Sequence, residues 1–268
     1  MFPDLKLAQR IEGIQAAGMT NYAETLRRLA PGSNAACPMI GGGFAFYSSF
    51  KIPPSRVMCL GLNGPVSADD LDRIEAFYRA RHEPVRIQLF PFSDKSLLDL
   101  LRERGYAVSN FNDTHARILS AQDKFPPPAE GVTVRLAAPD EDKLWAETLA
   151  RGFATDESIA FPIEATLAMF HEPGAQAYIA FCKDQPSGAA ALDMADGCAS
   201  FFAAAVVPEC RNRGAHTALL SARLTTAAEN GCDLAVMMAL PGGGSQRNAL
   251  RLGFELVYTR VEMEKKFD

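Results

Sequence analysis

One short stretch of the chain carries residues that could do chemistry together: Val206-Val207-Pro208-Glu209-Cys210-Arg211-Asn212-Arg213-Gly214-Ala215-His216-Thr217-Ala218-Leu219-Leu220. The apolar run Ala199 to Val207 reads as a buried strand. The Ala/Leu-rich run from Gly214 to Asn230 reads as a helix stopped by Gly231, a residue suited to the position after a helix end. The first N–H groups of a helix have no partner inside it, and the helix dipole draws anions to that end. Gly214 has no side chain to hold a phosphate away from the main chain. Arg211 and Arg213 add two positive charges to the turn. Strand, basic turn, glycine and helix in this order make a cradle for a diphosphate. The plainer alternative is a strand-to-helix connection with two solvated arginines.

Other groups of reactive residues are less organised. Gly41-Gly42-Gly43 and Gly242-Gly243-Gly244 are not followed by the Gly-Lys pair of a nucleotide P-loop, and both read as turns. Gly244-Ser245 lacks the Gly-x-Ser-x-Gly frame of a nucleophile elbow. The six cysteines form no CxxC pair, and the four histidines are scattered, so no metal site is expected. Free cysteines in apolar surroundings point to a reducing, cytoplasmic compartment. No apolar run approaches the length of a membrane helix, and the N-terminus lacks the order of a secretory signal.

The elements that must position the loop follow from periodicity and breakers. The sequence divides most clearly at Ala121 to Glu130, where Pro126-Pro127-Pro128 stops helix and strand alike and favours an extended spacer. This predicts a domain over 1–125 and another over 130–268, each of ordinary size. The first reads as a helix to Leu29, strands at Gly43–Ser48 and Val57–Leu62, a helix capped by Ser67, a strand at Val85–Phe90, a helix to Arg104 and closing strands to Leu119. The second reads as a strand at Val132–Leu136, helices at Asp140–Gly152 and Ile163–Phe170, and strands at Gln176–Cys182, Gly188–Met194 and Ala199–Val207. The helix from Gly214 follows, then a strand at Cys232–Ala239, a helix at Ser245–Leu252 and a closing strand at Phe254–Glu264. Both halves end in the same order of elements, with Gly105-Tyr106 and Gly253-Phe254 in matching places, so an internal duplication is expected.

Charge narrows the partners. The chain carries a net −5, but residues 1–125 hold 15 basic against 13 acidic side chains, and residues 126–268 hold 12 against 19. An acidic second half gives no reason to expect nucleic acid and would tolerate a cationic amine. Acidic surfaces also simply keep proteins soluble.

Arg211-Asn212-Arg213-Gly214-Ala215-His216 resembles the Arg/Gln-x-x-Gly-x-Gly/Ala loop of the GNAT (Gcn5-related) N-acetyltransferases. The turn Asp184 to Gly188 and the run Ser245 to Phe254 resemble the hairpin and the last helix of that family, in the right order. The first half resembles a degenerate copy, because Asn63-Gly64-Pro65-Val66-Ser67 stands where the phosphate loop would be. The resemblance implies an α/β (α+β) fold of two GNAT-like lobes, each a mixed, mostly antiparallel central sheet flanked by helices. It implies acetyl-CoA as co-substrate, with Val206 and Val207 pairing the pantetheine arm as an added strand would. It further implies that the amides of Arg213, Gly214, Ala215, His216 and Thr217 hold the pyrophosphate beside Arg211, and that Asn248 lies near the arm. The implied activity is acetyl transfer to a small-molecule or peptide amine, without metal, nucleic acid or membrane; homodimerisation is left open. The alternative is a non-catalytic acyl-CoA-binding regulatory module.

Two departures from the family pattern bear on that alternative. His216 stands where many relatives carry Gly or Ala, and could point away, crowd the phosphate or act as a cation. Ala249 stands where many relatives have a tyrosine that protonates the leaving thiolate, with Ser245 or Tyr258 as substitutes. The general base is open among Glu209, Asp193, Asp156, Glu157 and His171, so the catalytic residues are unassigned.

Overall fold

A computed structural model describes residues 1–154 and 162–267. The chain folds into two compact units. One comprises Phe2–Thr114 with the C-terminal segment from Leu256, and the other His115–Glu255.

The first unit opens with α1 (Leu5–Leu29), started by Asp4, whose side chain accepts from the Leu7 amide. Strands β1 (Met39–Ile40), β2 (Gly43–Phe46) and β3 (Arg56–Met58) follow. Helix α2 (Ala68–Arg79) begins at a capping box in which Ser67 and Asp70 each accept from the other's amide. Then come β4 (Val85–Leu89), α3 (Lys95–Glu103) and β5 (Ala107–Ile118), which passes out of the unit at Thr114. β1, β2 and β3 pair antiparallel and β3 pairs parallel with β4. Leu60, Leu71, Ile74, Tyr78, Ile87 and Leu97 form a core with no exposed surface.

The second unit contains β6 (Val132–Leu136), α4 (Asp142–Phe153), α5 (Ile163–Phe170), β7 (Gln176–Cys182), β8 (Gln185–Ala195) and β9 (Cys198–Val206). It continues with α6 (Ala215–Glu229), β10 (Leu234–Ala239) and α7 (Gly244–Arg251). β6 through β9 form an antiparallel meander. Its last turn is made by Asp196 and Gly197, both at positive φ as a tight hairpin requires. β10 lies parallel to β9. The sheet is buried on both faces, which is why β8 reads as a continuous apolar run. Ala189 and Ala191 face a core with Trp145 and Leu149 of α4, while Ala190 and Leu192 face a core with Leu219, Leu220 and Leu224 of α6. The indole N–H of Trp145 donates to the carbonyls of Tyr178 and Ala190, fixing α4 to the sheet.

The closing strand β11 (Glu255–Lys265) does not stay with the half from which it emerges. It pairs antiparallel with β4, from Val261 opposite Leu89 to Lys265 opposite Val85. A buried cluster explains the assignment. Arg260 Nε and Nη2 lie 2.9 and 2.8 Å from Glu12 Oε1 on α1, and the Tyr258 hydroxyl donates to the same oxygen at 2.7 Å. Glu12 and Arg260 are 1% and 3% exposed, so neither charge could remain there without the other. The expected spacer at 121–130 is also docked rather than free. Phe125 packs on the core of the second unit under the Arg117 guanidinium, 4.7 Å from its ring, and Ala129 lies against Gly214. The divisions of the folded chain therefore fall at 114/115 and 255/256, not at the proline run.

Candidate functional site

The site in the second unit begins as a fork in the sheet. β9 and β10 pair from Cys198–Leu234 to Phe201–Met237 and then part, although β9 continues to Val206 and β10 to Ala239. The cause lies on the other side of β9. Its register with β8 slips between Ala189 and Ala191, and Ala203 takes the left-handed φ of 48°. Such a bulge bends a strand and sharpens its twist. Gly152 of α4 and Gly188 of β8 allow close approach to the bent segment. A Cβ on Gly152 would come within 2.7 Å of the Ala205 Cβ, and one on Gly188 within 3.0 Å of the Ala205 carbonyl.

Past the fork the chain turns into α6. Gly214 holds φ at 87° just before the helix, and no side chain caps it. Among the described residues, the amides from Asn212 through Thr217 donate to no protein acceptor. Orphan donors at a helix start, with the dipole behind them, form an anion site. Beside them runs a groove of about 540 Å³. Val206, Arg211, Gly214, Ala215, His216, Thr217 and Asn248 all line it, whereas Val207 and Arg213 do not. Val207 is fully buried and donates its N–H to the Ser187 carbonyl. By strand alternation, Val206 turns its own N–H to the open edge of β9.

The two arginines have different tasks. Arg211 donates from Nε to the Val206 carbonyl at 3.2 Å and from Nη2 to the Gly152 carbonyl at 3.0 Å, so its guanidinium clamps the turn to the ends of β9 and α4. Arg213 makes no ion pair among the described residues and is the free cation of the turn. His216 is not a second one. Burial, with the Arg223 charge adding to it, lowers its pKa to about 4. The neutral ring accepts at Nδ1 from Asn248 Nδ2 at 3.1 Å, which turns it toward α7. With no ligand bound the His216 ring is therefore neutral, and Asn248 holds it toward α7.

The residues weighed for acid and base chemistry separate clearly. Ala249 is wholly buried. Tyr258 belongs to the other unit, where its hydroxyl donates to Glu12. Ser245 lines the groove and also a second cavity of about 400 Å³ at the mouth of the fork; Phe153, Ala204 and Gly244 line both as well. Glu209 is paired with Arg151, and His171 Nε2 lies 3.0 Å from Asp142 Oδ2. Asp193 is buried, its Oδ1 accepting from the Met194 amide. None of these three lines either cavity, and Asp156 and Glu157 lie outside the described residues. Two groups were not foreseen. Glu172 is 5% exposed with Oε1 unpartnered, and burial together with the nearby Asp193 carboxylate raises its pKa to about 8. Arg223 is buried on α6 and lines the second cavity. Its place three residues after Leu220 and one before Leu224, on the buried stripe of α6, is the signal the sequence offers.

The sheet of this unit is mixed and parts between the parallel strands β9 and β10, with a row of free amides beside the opening. Residues 143–254 match the model of the acetyltransferase (GNAT) family, and this stretch is a GNAT acetyltransferase domain. The chemistry this family points to is acyl transfer from an acyl-CoA. Solved structures share the two-lobed fold. A GCN5-related N-acetyltransferase from Kribbella flavida gives a TM-score of 0.63 at 20% identity, over 94% of this chain and 96% of its own. A tandem GNAT protein from the clavulanic acid biosynthesis pathway, solved without AcCoA, gives 0.63 at 15% identity, over 98% and 97%. A GCN5-related N-acetyltransferase from Sphaerobacter thermophilus gives 0.59 at 18% identity, over 80% and 74%. No curated protein matches the chain at the level of sequence.

Proposed function

We propose that the His115–Glu255 unit transfers an acetyl group from acetyl-CoA to an amine, small or peptidyl. The observation that carries this reading is the row of unpartnered amides from Asn212 through Thr217 at the end of an open strand edge. Acetyl-CoA, when bound, supplies an activated thioester. The residues present suit it: the amides donate to a diphosphate, Arg213 adds a positive charge, and the Val206 N–H extends the β9 ladder to an amide-bearing arm. Arg211 keeps turn and strand in one geometry through its two carbonyl bonds. Ser245, shared by groove and fork cavity, is the hydroxyl best placed to serve a departing thiolate. Fixed alignment of two reactants is worth up to about 7–11 kcal/mol; the acceptor ammonium gives its proton to water before the free amine attacks the thioester carbon, and the C–S bond breaks as the thiolate leaves and takes up a proton. The acidic second half suits a cationic acceptor.

The buried Ala249 favours a second reading, an acyl-CoA-binding module without turnover. Thiol release from acetyl-CoA across a panel of primary amines separates them. Amine-dependent release is expected. Binding by calorimetry without release would assign the module instead. No binding by the wild-type chain, or equal binding by Gly214→Glu, would overturn both.

A further inference from the structure

The fork cavity has a cation at its wall with no anion to match. Arg223 is 1% exposed, on the middle of α6. Its Nε donates to the Leu219 carbonyl at 3.0 Å, and its Nη1 to the carbonyls of Ala191 at 2.9 Å and Phe202 at 3.4 Å. Nη2 is buried and has no hydrogen-bond partner. The guanidinium lies over the Phe201 ring, 4.9 Å from its centre, and no carboxylate pairs with it among the described residues. Burial lowers its pKa to about 9, which leaves it charged at neutral pH. The titratable groups that feel it are uncharged there: Tyr178 is raised by burial and His216 lowered by it. The three carbonyl bonds account for Nε and Nη1 as a tie between α6, β8 and β9. They leave the two N–H groups of Nη2 unexplained.

An isolated buried cation is costly, and removing its partner from a buried pair costs several kcal/mol. A planar guanidinium edge is matched best by a carboxylate, which takes charge-assisted hydrogen bonds from it. Apart from the Ser245 hydroxyl and main-chain groups, the cavity wall is apolar, with Phe153, Phe201, Phe202, Met237 and Leu240, so it would take a short carbon chain ending in such a group. From this we infer that the fork is a carboxylate-binding subsite, with Arg223 as its anchor. The inference rests on the acyl-CoA reading above and narrows the substrate to one bearing a carboxylate. That group has two sources, the far end of a dicarboxylic acyl thioester or the acceptor.

Calorimetry on the full chain distinguishes them. One arm compares succinyl-CoA with butyryl-CoA, of equal carbon number but without the charge. The other compares alanine with alaninamide in the presence of CoA. In one arm the carboxylated member is expected to bind at least tenfold more tightly, and that arm identifies the source. Arg223→Met should abolish the preference, and Arg223→Lys should keep part of it. Absence of preference in both arms with the wild-type chain overturns the subsite, whether or not the variants fold. An undiminished preference in a folded Arg223→Met chain does the same. If no CoA compound binds at all, the acyl-CoA reading falls and this inference falls with it.

Discussion

Arg211→Met and Arg213→Gln should both weaken acetyl-CoA binding, and salt should tell them apart. Arg211 makes two bonds from a charged donor to carbonyls, at 3.2 and 3.0 Å, and both acceptors belong to the frame of the groove. Hydrogen bonds to charged groups contribute about 1.5–3 kcal/mol each. Taking the lower figure for a clamp near solvent, the methionine variant loses about 3 kcal/mol of loop order. Binding must then restore that order, which corresponds to roughly a hundredfold loss in affinity. Little of the loss is long-range charge, so it should persist at 1 M salt. Arg213 has no ion-pair partner among the described residues, and its effect is Coulombic. A unit charge about 6 Å from a phosphate at an effective dielectric between water and protein is worth about a fivefold change in affinity. At 1 M salt the screening length falls to about 3 Å and that change should nearly vanish. Titrations at 0.05 and 1 M salt, with thermal unfolding as a check on the fold, read both quantities. A salt-sensitive defect in Arg211→Met together with a salt-insensitive one in Arg213→Gln would refute the division of labour.

Three further outcomes follow from buried groups. Glu172 holds its proton in the folded state up to about pH 8 but loses it near 4.5 when unfolded, so stability should fall as pH rises through that window. The change is roughly 4 kcal/mol by pH 8, and Glu172→Gln should flatten it in urea titrations at pH 5 and 8. Arg260→Met leaves Glu12 buried without its partner, and urea unfolding should show a loss of about 3–5 kcal/mol. Gly152→Val presses on Ala205 and should lower stability by about 1–3 kcal/mol while weakening acetyl-CoA binding through the displaced strand.

The order of elements in both halves was legible because each helix start or stop has a local signal: Asp4, Ser67 with Asp70, Gly231. The anion loop was legible for the same reason, since strand, glycine and helix are contiguous. What escaped is set by distant contacts. Nothing in Phe254 to Glu264 shows that its ladder partner is β4, or that Arg260 meets Glu12 on α1. Three prolines suggested a spacer, yet Phe125 beside them is anchored by packing that a composition argument does not see. The bulge at Ala203 lies in the run Ala203-Ala204-Ala205, where no residue type marks a change of φ. Both arginines share one turn and read alike in the sequence, and only the carbonyls of Val206 and Gly152 show that Arg211 also clamps that turn.

The central claim is that the main chain of one bend receives the diphosphate. Amide hydrogen exchange, followed with and without saturating acetyl-CoA, tests it directly. Exchange should slow at Val206 and from Asn212 through Thr217, with little change in β6 or α2. Protection absent from 212–217 while acetyl-CoA is demonstrably bound would contradict the account.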